Sequence, residues 1–157
     1  MSQPGARPAD AHGLRLDGYL PYRLAAAADA VSSLIARAYQ VRFGLSIPQW
    51  RIVCVLAEDG PSSEAQLIAR SVMDAAAVTP AVAGLLDRQL VSRCEPEEGG
   101  RLALTAEGLS VHGQIAPLAL AYEAALIAGL SPDEVALAKR LLSRLQNAAG
   151  QLGGGVD

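Results

Sequence analysis

The chain has 157 residues, 51% of them hydrophobic, with only 4% aromatic and 18% charged. That length fits one domain with a core of its own, and an apolar share made mostly of alanine and leucine suits helices packed on helices; wholesale disorder is excluded and a β-rich fold disfavoured. Thirteen basic against sixteen acidic residues give a net charge of −3, so no global positive field draws the chain to nucleic acid and any polyanion must be met locally. The basic set is Lys139 and otherwise arginine, a bias that a high-GC genome also produces without function.

No stretch approaches the roughly 20 uninterrupted apolar residues of a membrane helix. Met1 to Gly13 is polar and rich in Pro, Gly and Ala, with no apolar signal-peptide core. Residues 1–16 therefore read as a disordered tail on a cytoplasmic protein. Cys54 and Cys94 form no CxxC pair and cannot make a disulfide framework, so they read as packed small hydrophobes. With His12 in the tail and His112 as the other histidine, a His-rich zinc site is not expected, and no cofactor is implied.

From Asp17 to Phe43, Leu20, Leu24, Ala27, Val31, Leu34, Ala38 and Val41 recur at spacings of four and three, one stripe on a long helix that Gly44 stops. Ser46-Ile-Pro-Gln49 supplies an N-cap, a first-turn proline and a capping-box glutamine for a second helix through about Glu58. After the Asp59-Gly60-Pro61 turn, Ser63-Glu-Ala-Gln66 is another capping box, opening a short helix that buries Leu67 and Ile68 and ends near Arg70. Ser71-Val72-Met73 makes a tight connection. Asp74 is the evident cap of the next helix, striped by Val78, Val82, Leu85 and Leu86 and running to about Gln89. Pro80 leaves two readings: an interior proline costing about 3 kcal/mol unless the helix relaxes, or a first helical residue capped by Thr79.

Leu90 to Cys94 and Arg101 to Leu104 flank Glu95-Pro-Glu-Glu-Gly-Gly100, which has the chemistry of a hairpin loop. Thr105 caps a long helix with Leu109, His112, Ile115, Ala119, Tyr122 and Leu126 on one face, kinked at Pro117 and closed by Gly129. Ser131-Pro132-Asp133-Glu134 starts a final helix, striped by Val135, Ala138, Leu142, Leu145 and Ala149, which dissolves into a flexible tail at 153–157.

The order implies a mainly α fold with a small β-wing: a winged helix-turn-helix lobe over 45–105, between a dimerisation helix at 17–44 and dimerisation helices at 106–152. On DNA the second short helix of the motif would enter the major groove and the wing would follow the neighbouring minor groove or backbone. The flanking stripes exceed what one small domain covers, and a homodimer buries such surface while setting two reading helices about 34 Å apart on a palindrome.

Leu45-Ser-Ile-Pro-Gln-Trp50-Arg51, Ala57-Glu-Asp-Gly-Pro61, Met73-Asp74, Val78-Thr79, Leu90-Val91, Leu104-Thr105-Ala-Glu-Gly108 and Gly129-Leu-Ser-Pro-Asp-Glu134 fall in the order seen in MarR-family winged-helix regulators, which residues 17–150 resemble. The resemblance implies a homodimer on double-stranded operator DNA, usually a repressor, with small ligands such as aromatic acids or their thioesters entering between the dimer helices and the DNA-binding lobe. The chain departs from the family where Ala75, Ala76 and Ala77 replace basic or hydroxyl residues, where Pro80 replaces arginine, and in a shorter wing bearing Glu97 and Glu98. Over residues 61–105, Arg70, Arg88, Arg93 and Arg101 face Glu64, Asp74, Asp87, Glu95, Glu97 and Glu98. Phosphate neutralisation normally dominates affinity, so weak binding with a shallow salt dependence is expected.

Ser62 and Ser63, the four arginines and the helix N-termini remain for phosphates, and Ala75, Ala76 and Thr79, beside Pro80, for thymine methyl groups. Arg101 is the candidate wing contact; its alternative is pairing with Glu97 or Glu98. Tyr22, Arg23, Trp50, Arg51 and His112 lie on the elements that surround the effector in the family, where an arginine would pair with a carboxylate and Trp or Tyr would stack. Each also has a structural reading, Trp50 and His112 as core, Tyr22 as dimer packing and the arginines as surface groups. Two rival functions stay open: a degenerate winged helix acting through protein contacts, and thiol sensing at Cys54 or Cys94. No nucleophile–base pair, carboxylate dyad or phosphate loop points to an enzyme.

Overall fold

The computed structural model describes residues 13–94 and 100–153. It divides into two compact units, Met1–Leu109 and Ser110–Asp157, and each is taken by itself. Among the described residues of the first unit, a 3-10 turn at Leu16–Gly18 straddles the expected boundary between tail and helix, and α1 starts at Leu20 rather than Asp17. The rest of the expected tail, residues 1–12 and 154–157, lies outside the described residues, as do Glu95, Glu97 and Glu98 of the wing.

Helix α1 (Leu20–Phe43) ends at Gly44, whose φ of 61° is the left-handed conformation that glycine adopts without a Cβ penalty. Tyr39 is its one buried residue, meeting the Trp50 ring edge-on at 5.3 Å. The Leu20, Val31, Leu34 and Val41 stripe stays exposed. In α2 (Ile47–Asp59) the expected capping box is complete: Ser46 Oγ accepts from the Gln49 N–H, and Gln49 Oε1 from the Ser46 N–H. Ile52, Val53, Val55 and Leu56 form the centre of this unit's core. Gly84, further along the chain, lets the same Gln49 pack closely, since a Cβ there would lie 2.6 Å from Gln49 Nε2.

Helix α3 (Glu64–Ser71) opens on the second expected capping box, Ser63 with Gln66, and buries Leu67 but leaves Ile68 half-buried. Helix α4 (Ala75–Asp87) is capped by Asp74, whose Oδ1 accepts from Ala77 N–H at 2.9 Å. Of the two readings of Pro80, the structure adopts the interior one. The ring lies on the exposed face, so the Ala76 carbonyl loses its helix donor away from the core, where the loss is least costly.

Strands β1 (Val91–Arg93) and β2 (Leu102–Leu104) pair antiparallel, Val91 opposite Leu104 and Arg93 opposite Leu102. Each is shorter than the run expected. Ser62 adds a third lane on the outer side of β2, exchanging two backbone hydrogen bonds with Leu102 at 2.8 and 2.9 Å. Thr105 caps α5 (Ala106–Ile127), accepting from Gly108 N–H and donating to the Gln89 carbonyl. Gly108 is buried because no larger residue fits: its Cβ would lie 2.0 Å from the Leu90 carbonyl oxygen.

The second unit holds the rest of α5, which continues through Pro117, and α6 (Pro132–Gly153). The Ser131 and Glu134 capping box forms as expected, and α6 reaches Gly153 instead of dissolving there. Lys139 reaches Glu123 at 3.4 Å across the corner. Ile127, Leu130, Pro132, Val135 and Ala136 line an open apolar cleft of about 430 Å³ beside it.

Candidate nucleic-acid interface

The axes of α3 and α4 turn through 119° across a three-residue connection, Val72-Met73-Asp74, the geometry of a helix-turn-helix. Burial splits α4 cleanly. Val78, Ala81, Val82 and Leu85 face the core, while Ala75, Ala76, Thr79 and Pro80 are exposed. The sequence-selected residues of this helix therefore share its outward face.

Two of the selected residues make structural contacts that the local sequence does not show. Ser62 is 4% exposed, its hydroxyl donating to the Gly60 carbonyl while its backbone joins Leu102, so it fastens β2 to the α2–α3 connection and has little surface to offer a phosphate. Arg88, at the C-terminal end of α4, donates through Nη1 to the Gly44 carbonyl at 2.9 Å and through Nη2 to Phe43 at 2.8 Å. It caps α1, whose last carbonyls carry partial negative charge and favour a guanidinium.

Ser63 keeps a half-buried cap position at the start of α3. Arg70 is held by Asp59 and Glu58, each at 3.1 Å, and Arg93 by Glu64 at 3.6 Å, all exposed pairs. Among the described residues Arg101 makes no ion pair. It lines an open cleft of about 430 Å³ with Asp59, Ser62, Gln66 and Arg70. The sequence reading missed Gln66 as part of this surface because its capping-box role accounted for it. It also missed Tyr39, which lies one residue off the α1 stripe.

The suggested effector residues do not form one cluster within the first unit. Trp50 is half-buried against Tyr39 and Arg51 is exposed beside it on α2. Tyr22 and Arg23, both exposed, precede Tyr39 on the same continuous helix by 16 or more residues, about 25 Å along its axis. His112 is half-buried on α5 in the second unit. The Cys54 thiol is pushed up to about 12, first by burial and then by the Glu58 carboxylate, which keeps it protonated and unreactive near neutrality. Among the described residues no cluster of His, Cys, Asp and Glu could hold a metal, and no single helix is long and apolar enough to cross a membrane.

A helix-turn-helix joined to a two-stranded wing, with a third lane from the α2–α3 connection, defines a winged helix-turn-helix DNA-binding fold. The MarR family profile matches residues 45–102, the lobe just described. A probable transcriptional regulator of Pseudomonas aeruginosa is 30% identical, the match covering 83% of this chain and 99% of that one at a TM-score of 0.73. A MarR/EmrR family transcriptional regulator of Acinetobacter sp. ADP1 superposes at a TM-score of 0.82 with 22% identity, over 88% of this chain and 99% of that one. BpsR of Bordetella bronchiseptica, whose DNA binding is regulated by 6-hydroxynicotinic acid, superposes at 0.74 with 19% identity, over 85% and 98%. No curated protein sequence matches the chain. The chain belongs to the MarR family of transcriptional regulators.

Proposed function

We propose that the chain is a cytoplasmic, homodimeric repressor that binds a palindromic operator and is released by a small aromatic acid or its coenzyme A thioester. The observation that carries the DNA part is the outward face of α4, raised by the 119° turn and flanked by the wing, with Arg101 at the loop end of β2. The dimer reading rests on leucines left exposed on α1, α5 and α6. The effector reading rests on the half-buried Trp50 ring, which Tyr39 backs from the core, beside the exposed Arg51: one stacking group next to one carboxylate partner. The regulation of BpsR by a hydroxynicotinic acid supports the same ligand class.

A mobility shift at low salt on fragments of the gene's own promoter tests the core of this reading. A shifted band that aromatic acids or their thioesters dissolve is expected; no shift on any fragment overturns it. The pairing of Arg70 and Arg93 with carboxylates favours a second reading, a winged helix that contacts proteins instead of DNA. Arg101→Ala separates the two. If DNA is the partner, the substitution weakens the complex and lowers the slope of log K against log salt by about 0.9, the share of one phosphate contact.

A further inference from the structure

Between Ala75 and Asp87, α4 carries no Arg, Lys, Asn or Gln. Its outward side offers the methyls of Ala75 and Ala76, the methyl and hydroxyl of Thr79, and the ring of Pro80. Val72, 77% exposed in the turn just before it, extends the apolar surface. Of the charged groups nearby, Asp74 caps the helix, Arg70 and Arg93 hold carboxylates, Arg88 holds the end of α1, and Arg101 belongs to the wing. The bidentate donors that single out guanine or adenine in the major groove are therefore missing from this helix. The one base feature there that an apolar side chain recognises is the thymine 5-methyl group. Short side chains also let the helix axis come close enough for methyl-to-methyl contact.

On the reading of α4 as the DNA-inserted helix given above, we propose that thymine 5-methyl groups packed against Ala75, Ala76, Thr79 and Pro80 set the operator sequence, in place of hydrogen bonds to purine edges. Specificity is then apolar, and only the affinity owed to phosphates depends on salt.

The test uses the full chain and a duplex selected from a random-sequence pool at low salt. The selected duplex is rebuilt with deoxyuridine in place of thymidine, which removes the methyl and keeps the base pair. Each lost contact is expected to weaken binding about fourfold, the worth of one buried methyl group. The same duplex rebuilt with 7-deazaguanine, which lacks the major-groove N7 acceptor, should lose less than the deoxyuridine version. Thr79→Ser keeps the hydroxyl and removes a methyl, so the variant should show a smaller deoxyuridine penalty than the parent. Because the modified bases change only the DNA, a folding defect in the variant cannot mimic the main result. Unchanged affinity for deoxyuridine DNA, or a larger loss with 7-deazaguanine, overturns the proposal. Failure to select any duplex overturns it together with the DNA-binding reading, and is distinct from selection of a duplex indifferent to the methyls.

Discussion

Val72 joins α3 to α4 at a φ of 56°, a left-handed conformation that a β-branched side chain adopts only under strain of about 1–3 kcal/mol. The side chain is 77% exposed, so it gives back little through burial. Asparagine tolerates this region without glycine's loss of chain entropy, so Val72→Asn should stabilise the protein by about 1 kcal/mol, read as a higher midpoint in urea. Cys54 carries a second prediction. Its thiol, raised from 9.0 to about 12, binds its proton more tightly folded than unfolded, so it favours the fold fully below pH 9 and progressively less as pH rises toward 12. The native protein should resist iodoacetamide at Cys54 at pH 8, by peptide mass spectrometry, while the urea-unfolded chain reacts. Rapid native labelling there would support thiol sensing at Cys54. Burial, the larger cause of the Cys54 shift, follows from its reading as a packed small hydrophobe; the Glu58 carboxylate one helical turn on adds to it, and the strain at Val72 appears only once the turn is built.

Helix boundaries were the most legible feature, because capping chemistry is local. Ser46 with Gln49, Ser63 with Gln66, and Ser131 with Glu134 each fold as their three-residue spacing requires. What the sequence hid joins residues distant along the chain. Ser62 reads as a free hydroxyl at a helix start, yet pairs with Leu102; Arg88 reads as a phosphate ligand, yet caps a helix that ends 45 residues earlier. Arg88 fixes the end of α1 against the end of α4 through two charge-assisted hydrogen bonds. Arg88→Ala should cost about 1 kcal/mol, tempered by solvent exposure, and the urea midpoint reports it. Arg88→Gln, which can reach one carbonyl without the charge, should fall between. If neither variant moves the midpoint, the cap contributes nothing to stability and Arg88 returns to the list of groups available to phosphate.

Along α6, a helix of 22 residues, only Val135 is even half-buried, while Leu137, Leu141, Leu142, Leu145 and Leu152 are exposed by 38% to 76%. Apolar positions at helical spacing left bare over six turns mark a surface meant for another protein, and identical chains commonly supply it through a two-fold interface. Sedimentation should therefore give twice the chain mass. Leu141→Glu with Leu145→Glu places two carboxylates in that interface and should shift the protein to monomer, because desolvating an unpaired charge costs several kcal/mol. The fluorescence of Trp50, the chain's single tryptophan, packed on Tyr39 in the other compact unit, checks that the DNA-binding lobe stays folded in the variant. A folded monomer should still meet a half-site but lose the gain of two linked contacts on a palindrome, commonly 100-fold or more. A wild-type monomer would overturn the dimer reading, and a variant that remains dimeric would place the interface elsewhere; either result leaves the exposed leucines of α6 for a different partner.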